Sequence, residues 1–324
     1  MAWVPCCPRA RMIDVEGLTM VYGRGRHERQ RALDGATFSV PDKSIFGFLG
    51  PNGAGKTTTI RILATILPPT GGTAVVEGHD VVREPIAVKS AIGYMPEVPG
   101  YYPTMTAEEH LDYWGAFYRM PKADRRARAK ELLELVGLKD ERAKKAKAYS
   151  HGMLKRLGLA QALLHDPPVL VLDEPAGGLD PYGIIFFRNL MKDLNKAGKT
   201  VFLSSHILSE VAQTCTHVGV IDRGRVVAVD TVEGLQSRIG GAGSVRCLVE
   251  AHNVPDAALR GLMDVQHVKD VQRTDWGLIV AMDTDVRSSV NAFLVGLGVP
   301  VVGLKLAEVT LEDAFVALTG GGAA

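Results

Sequence analysis

A glycine-rich segment between two predicted regular elements limits the folds that this chain can adopt. Residues 50–57 have the sequence GPNGAGKT, which fits the pattern G-x-x-x-x-G-K-[ST]. The apolar run Ile45–Leu49 predicts a buried strand before it, and apolar residues at 60, 63, 64 and 67 predict an amphipathic helix after it. The N–H groups of such a loop and the start of such a helix bind phosphate oxygens. The sequence therefore predicts a nucleotide site formed by Gly50, Asn52, Gly53, Ala54, Gly55, Lys56, Thr57 and Thr58.

Polar side chains follow two further predicted strands. Asp173 and Glu174 come directly after the apolar run 169–172, and Ser204-Ser205-His206 follows the strand predicted at 200–203. Because the carboxyl ends of parallel strands meet at one edge of a sheet, we expect these groups to lie beside the glycine-rich loop. Lys56 can reach the β- and γ-phosphates, and the Thr57 hydroxyl can ligate Mg²⁺. One of the two carboxylates can hold Mg²⁺ while the other faces the attacking water, and we expect His206 to contact the γ-phosphate.

Length and composition indicate a globular protein of two domains. The chain has 324 residues, of which 46% are hydrophobic and 23% charged. Since 37 Lys and Arg residues balance 36 Asp and Glu residues, we expect no nucleic-acid partner. The longest uncharged apolar stretch, residues 288–304, is interrupted by glycines and a proline, so no membrane-spanning helix is expected. The four cysteines form no metal-binding spacing, which favours a reducing compartment.

The order of predicted elements divides the chain at about residue 240. Strand segments are predicted at 12–15, 19–22 and 36–40, followed by alternating strands and helices up to about residue 235. Residues 1–11 are expected to form a disordered tail, and GGAG at 240–243 a linker. For 240–324 the pattern predicts a small α+β, ferredoxin-like domain with a trailing helix. Its predicted strands are 245–250, 266–272, 277–282 and 299–306, and its predicted helices are 255–263, 286–297 and 310–318.

The motifs together resemble those of the ATP-binding subunits of ABC transporters. Between the two nucleotide motifs lies YSHGMLKR at 149–156, which is similar to a degenerate form of the family signature LSGGQ. The resemblance covers about residues 12–235. It implies a P-loop NTPase fold of α/β class, with a RecA-like parallel-sheet core, an antiparallel β subdomain and a helical signature subdomain at about 97–165. The cofactors that it implies are ATP and Mg²⁺.

The resemblance also implies roles for individual residues. Ser150 and Gly152 would contact the γ-phosphate of ATP bound to the opposite subunit, and a hydroxyl at a helix start suits such an anion. Asp180, in Gly178-Leu179-Asp180, would link the two ATP sites of a dimer. The remaining roles are adenine stacking for Tyr22, catalytic carboxylate for Glu174, switch histidine for His206, and Mg²⁺ ligation for Thr57 and Asp173.

Three segments depart from the family pattern. His151 and Met153 replace a glycine and the glutamine of the signature. Glu97 stands where the family has a glutamine; a carboxylate there can still ligate Mg²⁺, although its charge changes the site. Gly177-Gly178 replaces the more usual Ser-Ala, which we expect to loosen that turn.

These observations favour the ATPase subunit of an ABC transporter, working as a dimer with separately encoded membrane permease subunits. The implied location is cytoplasmic, peripheral on the cytoplasmic face of the cell membrane. Residues 311–315, LEDAF, resemble the tail of ABC-2-type export ATPases, which favours export.

Two other functional classes stay open at this stage. A non-transport ABC ATPase would act on a nucleic-acid or ribosome partner. Two observations argue against this class. The segment between Lys56 and Ser150 is too short to contain a long coiled coil, and the chain carries one set of nucleotide-binding motifs. A P-loop kinase or GTPase is the third class, and the combination of signature, Asp180 segment and His206 disfavours it.

Overall fold

The computed structural model of the chain describes residues 11–23, 30–240, 245–307 and 310–319. Of the predicted tail only Arg11 is described, and of the predicted linker only Gly240; the rest of both lies outside these residues. The chain divides into two compact units between Asp230 and Thr231. No helix in the described ranges is long and apolar enough to cross a lipid bilayer.

The first unit alternates strands and helices after an initial pair of long strands. Its strands are β1 (Arg11–Tyr22), β2 (Gln30–Pro41), β3 (Ile45–Leu49), β4 (Gly71–Val76), β5 (His79–Asp80), β6 (Ile92–Met95), β7 (Val169–Leu172), β8 (Thr200–Ser205), β9 (His217–Asp222) and β10 (Arg225–Thr231). Its helices are α1 (Lys56–Leu63), α2 (Pro85–Ala91), α3 (Ala107–Phe117), α4 (Lys122–Leu135), α5 (His151–Ala162), α6 (Pro181–Lys196) and α7 (Leu208–Thr214).

A six-stranded sheet in the order β10-β9-β3-β8-β7-β6 forms the centre of this unit. Strands β3, β8, β7 and β6 run parallel, so their carboxyl ends lie at one edge. Every residue of β3, β7 and β8 is buried, as expected for strands covered on both faces. This places the ends of β3, β7 and β8, which carry the predicted motifs, on neighbouring strands.

A second, antiparallel sheet in the order β2-β1-β4-β5 packs against the first. The rings of Phe38, Phe46, Phe48 and Phe202 pack with centroids 5.0–6.0 Å apart and join the two sheets. Fully burying each such side chain contributes about 1.5–3 kcal/mol. The strand segments predicted at 12–15 and 19–22 are one strand, because β1 continues through a register shift near Gly17, whose φ is 59°.

Helices α3, α4 and α5 occupy the region predicted as the helical subdomain. Thr106 and Glu109 form a reciprocal capping box at the start of α3, which satisfies two helix-end donors. Ser150 caps α5 in a similar way, since its hydroxyl accepts from the Met153 amide at 3.3 Å. These caps determine where α3 and the signature helix α5 begin.

The second unit contains α8 (Val232–Gly240), β11 (Val245–Ala251), α9 (Asp256–Leu262), β12 (Val268–Thr274), β13 (Gly277–Met282), α10 (Arg287–Gly296), β14 (Val301–Ala307) and α11 (Leu311–Thr319). The sheet order is β12-β13-β11-β14, with antiparallel neighbours. The elements from β11 onward follow the predicted order and lie within a few residues of the predicted bounds. Helix α8 belongs to this unit, whereas the sequence analysis extended the first domain to residue 235.

Candidate nucleotide site

The glycine-rich loop connects the buried strand β3 to helix α1. Gly55, which precedes the helix, has a φ of 111°, a conformation that favours glycine. A Cβ atom at Gly55 would lie 2.7 Å from the Ala32 carbonyl oxygen, so no larger residue fits. Helix α1 ends at Leu63 rather than at the predicted Leu67, because Thr65 adopts a left-handed φ of 56°.

Lys56 lies inside the loop, with 6% of its surface exposed. Its Nζ atom donates to the carbonyl oxygens of Gly50 at 2.7 Å and of Pro51 at 3.3 Å. The same atom lies 3.8 Å from the Glu174 Oε1 atom. The ammonium group is therefore held at the centre of the loop and faces a carboxylate at the end of β7.

A chain of hydrogen bonds links the start of α1 to the ends of β7 and β8. The Thr57 hydroxyl donates to Asp173 Oδ1 at 3.3 Å, and the Ser204 hydroxyl donates to the same oxygen at 2.7 Å. Ser204 also accepts from the Glu174 amide at 2.9 Å. Asp173 is buried, with 2% exposed. Residue types alone assign Ser204 no role, because its partner on β7 depends on the register of the strands.

Glu174 has a strained backbone, and its carboxylate contacts the partly exposed imidazole of His206. Its φ of 47° lies in the left-handed region that non-glycine residues rarely adopt. Its Oε2 atom is 2.9 Å from Nδ1 of His206, whose side chain is about half exposed. Glu174 and His206 are thus brought together, as their positions at neighbouring strand ends predict.

These groups surround a cavity of about 350 Å³. Tyr22 lines it, and its hydroxyl is 3.3 Å from the Thr58 hydroxyl. Glu97 also lines it, in the segment after β6. The other lining residues are Gln30, Ala32, Pro51, Asn52, Gly53, Gly55, Lys56, Thr57, Thr58, Glu174 and His206.

Three lining residues, Gln30, Ala32 and Pro51, are not among the predicted site residues, and two predicted residues of the glycine-rich loop, Gly50 and Ala54, do not line the cavity. Gln30 lies opposite Tyr22 in the β1–β2 pair, and Ala32 lies two residues further along. Residue types give no signal for Gln30 and Ala32, because the strand predicted there begins only at residue 36 and their place beside Tyr22 depends on the β1–β2 register. Gly50 and Ala54 lie outside the lining: the Gly50 carbonyl accepts from Lys56, and Ala54 is buried.

The residues to which the family resemblance assigns a role across a dimer lie outside this cavity. Ser150 and Gly152 are at the start of α5, and the Ser150 hydroxyl is engaged as its cap. Asp180 caps α6, where its carboxylate accepts from the Gly183 amide at 2.9 Å. The single chain thus places a second helix start with anion-binding potential away from its own glycine-rich loop.

Two departures from the family pattern are structurally linked. The Nε2 atom of His151 lies 3.4 Å from the Gly177 carbonyl oxygen. A Cβ atom at Gly178 would lie 3.0 Å from that same nitrogen, and Gly178 has a φ of 73°. The absence of a side chain at Gly178 therefore makes room for the imidazole that replaces a signature glycine.

The residues present fit a magnesium nucleotide. Within the described ranges no three His, Cys, Asp or Glu side chains form a metal cluster. Mg²⁺ in nucleotide sites commonly uses one or two protein oxygens together with phosphates and water. Thr57 and Asp173, whose oxygens lie 3.3 Å apart beside the glycine-rich loop, are oxygen donors of this kind.

Comparison with known proteins identifies relatives along nearly the whole chain. The family model described as ABC transporter matches residues 33–177. The linearmycin resistance ATP-binding protein LnrL of Bacillus subtilis is 34% identical over 95% of this chain and 98% of its own length. The bacitracin transport ATP-binding protein BcrA of Bacillus licheniformis is 36% identical over 96% and 98%. The daunorubicin/doxorubicin resistance ATP-binding protein DrrA of Streptomyces peucetius is 36% identical over 96% and 93%.

Solved structures match the first unit in fold. A dimeric, post-hydrolysis state of the ATP-binding cassette MJ0796 bound to ADP and phosphate aligns with a TM-score of 0.63 and 25% identity, over 68% of this chain and 98% of that one. An ATP-binding subunit of an ABC transporter aligns with a TM-score of 0.63 and 29% identity, over 71% and 95%. These matches confirm the P-loop NTPase fold of α/β class. The chain belongs to the family of ABC transporter ATP-binding proteins and is an ATPase of that family.

Proposed function

We propose that this chain is the ATP-hydrolysing subunit of an ABC exporter, and that it drives separately encoded membrane permease subunits. The observation that carries the proposal is the cavity at the carboxyl edge of the parallel sheet. There Lys56, Thr57, Glu174 and His206 line one space, and Asp173 lies directly behind Thr57. This is the set of groups that phosphoryl transfer to water requires.

Each group has a distinct task in this proposal. The loop amides and Lys56 bind the β- and γ-phosphates, and Tyr22 stacks on the adenine. Thr57 and Asp173 would hold Mg²⁺, which supplies positive charge to the phosphate oxygens during transfer. Glu97 lines the same cavity and would be a further carboxylate ligand for Mg²⁺.

Glu174 orients and polarises the attacking water, because its carboxylate lies at the open end of β7 beside Lys56. His206, 2.9 Å from Glu174, contacts the γ-phosphate and holds the carboxylate in place. The two side chains act as a pair, since each limits the orientation of the other.

Two copies of the chain form a dimer in this proposal, and each ATP is bound between them. Ser150 and Gly152 form a helix start outside the cavity of their own chain, and Asp180 lies at another. Head-to-tail pairing with two-fold symmetry would bring each signature helix over the partner's glycine-rich loop. The dimeric state of the MJ0796 cassette supports this arrangement.

The proposal that the transporter exports its substrate rests on the relatives. The names of LnrL and DrrA refer to resistance, to linearmycin and to daunorubicin and doxorubicin, and the name of BcrA refers to bacitracin transport. Association with a permease would place the chain on the cytoplasmic face of the membrane, as a peripheral subunit. The relatives do not favour a non-transport ATPase that acts on nucleic acid or ribosomes.

The test is ATP hydrolysis by the purified chain, alone and with the permease reconstituted in nanodiscs. We expect Mg-dependent hydrolysis that changes on addition of the permease and is lost in Lys56→Ala, which lacks the phosphate-binding ammonium. Hydrolysis that the permease neither binds nor alters would contradict the transport function. Equal activity of Lys56→Ala would contradict the site.

A further inference from the structure

Helix α5 carries a lysine in the protein interior behind the catalytic strand end. Lys155 has 1% of its surface exposed, among the apolar residues of the buried face of α5. Its Nζ atom donates to the backbone carbonyl of Glu174 at 2.8 Å. The contact therefore joins the signature helix to the residue proposed to activate water.

Burial of a lysine at this position is energetically unfavourable, and packing alone does not explain it. Burial lowers the pKa of Lys155, and the carboxylates of Glu97, Glu174 and Asp173 oppose that shift. Apolar residues of similar volume often replace a buried ion pair with no loss of stability, or with a gain. Stability alone thus does not account for an ammonium group here, and its contact with Glu174 points to a role in the site.

The Glu174 backbone needs support on both sides. Its φ of 47° costs about 1–3 kcal/mol and persists only where neighbouring groups hold it. Ser204 accepts from the Glu174 amide, while the Glu174 carbonyl accepts from Lys155 and from the Gly177 amide at 3.1 Å. Lys155 is the charged donor in this set, and charge-assisted bonds are the stronger kind.

The same helix also carries the signature residues at its start. Ser150 caps α5, and Lys155 lies five residues further along the same rigid element. In the dimer proposed above, Ser150 serves one ATP while Glu174 of the same chain serves the other. A displacement of α5 at its start would therefore be transmitted to the peptide that directs the Glu174 carboxylate.

We propose that Lys155 is a positioning residue for Glu174, through which helix α5 controls the direction of the catalytic carboxylate. The contact of His151 with the Gly177 carbonyl is a second, exposed link between α5 and the same segment. This inference rests on the proposed ATP hydrolysis and adds a residue to it that does not touch the nucleotide cavity.

The first test compares Lys155→Met with Lys192→Met, an exposed lysine of α6. In Lys155→Met we expect kcat to fall on the order of 10–100-fold, as for a misplaced catalytic group. Binding of a fluorescent ATP analogue should be unchanged, because Lys155 does not line the cavity. The melting temperature should fall little, because the Glu174 carbonyl keeps its bond from the Gly177 amide when an apolar chain of similar length replaces Lys155. Lys192→Met should match the wild type in all three measurements.

Either of two results would overturn the positioning role. One is a wild-type kcat in Lys155→Met while the wild-type chain hydrolyses ATP. The other is a loss of kcat that is matched by a loss of nucleotide affinity or of melting temperature, as a merely structural residue would give. Absence of hydrolysis by the wild-type chain would instead overturn the proposed function itself.

A second measurement asks whether Lys155 acts through Glu174. Single-turnover hydrolysis is compared among Lys155→Met, Glu174→Gln and the double variant. If Lys155 acts by directing the carboxylate, the double variant should be no slower than Glu174→Gln, because the group being positioned is already inactive. Losses that multiply in the double variant would show independent roles and overturn the inference.

Discussion

Ser204 is predicted to support both carboxylates of the nucleotide site at once. Its buried hydroxyl donates to Asp173 Oδ1 at 2.7 Å and accepts from the Glu174 amide at 2.9 Å. The change Ser204→Ala removes both contacts while altering the volume by one oxygen atom. It leaves the Glu174 amide without this acceptor and the Asp173 carboxylate with one donor fewer.

The expected loss follows from the kinds of bond that are removed. A hydrogen bond to a charged group contributes about 1.5–3 kcal/mol, and an unsatisfied buried amide costs about 1–3 kcal/mol. Since neighbouring groups relax in part, we expect the free energy of local opening to fall by about 2–3 kcal/mol. Ser205→Ala is the matched control, because Ser205 accepts a single neutral bond, from the Ile207 amide at 3.0 Å.

Hydrogen–deuterium exchange of peptides that cover β7 and β8 measures this quantity within the first unit. A loss of about 2 kcal/mol makes the slowest amides exchange roughly 30-fold faster. Ser205→Ala should accelerate them by only about fivefold, for a loss near 1 kcal/mol. Equal exchange in the two variants would refute the argument that Ser204 holds the two carboxylate segments together.

Further variants test other parts of the account. Glu174→Gln should keep ATP binding and lower turnover by roughly 10²–10⁴-fold, because the amide cannot polarise water; steady-state hydrolysis and nucleotide titration measure this. Gly178→Ala should lower the free energy of unfolding by about 1–2 kcal/mol, because its φ is 73° and the new methyl group would press on His151. Gly100→Ala is the control, because its methyl group would meet open space, and melting temperatures compare the two variants. Removal of Mg²⁺ with EDTA should abolish hydrolysis, and re-addition should restore it. Deletion of residues 231–324 should leave ATP binding intact, because the cavity is lined by residues of the first unit alone; calorimetry measures the affinity.

The sequence predicted which motifs lie together, because that depends on their positions along the chain. The motifs at the ends of β3, β7 and β8 lie together because neighbouring parallel strands share an edge. The predicted elements of the second unit also follow the observed order, since alternation and helical periodicity are local signals.

What the sequence did not predict depends on contacts between distant segments. Gln30 lines the cavity only because β2 pairs with β1 in a particular register. Ser204 and Lys155 act through partners on other elements, and the sequence of α5 alone does not show that Lys155 is buried. The sequence also did not predict that β1 is one continuous strand with a register shift. Such a shift depends on how β1 pairs with β2.

The central claim is that ATP is hydrolysed at a site completed by a second copy of the chain. Its most direct test is the specific rate of hydrolysis at saturating Mg-ATP, measured over a range of protein concentrations while mass photometry counts monomers and dimers. The account predicts that the specific rate rises with the dimer fraction and vanishes as the protein becomes monomeric. A specific rate that stays constant while the protein is monomeric would contradict it.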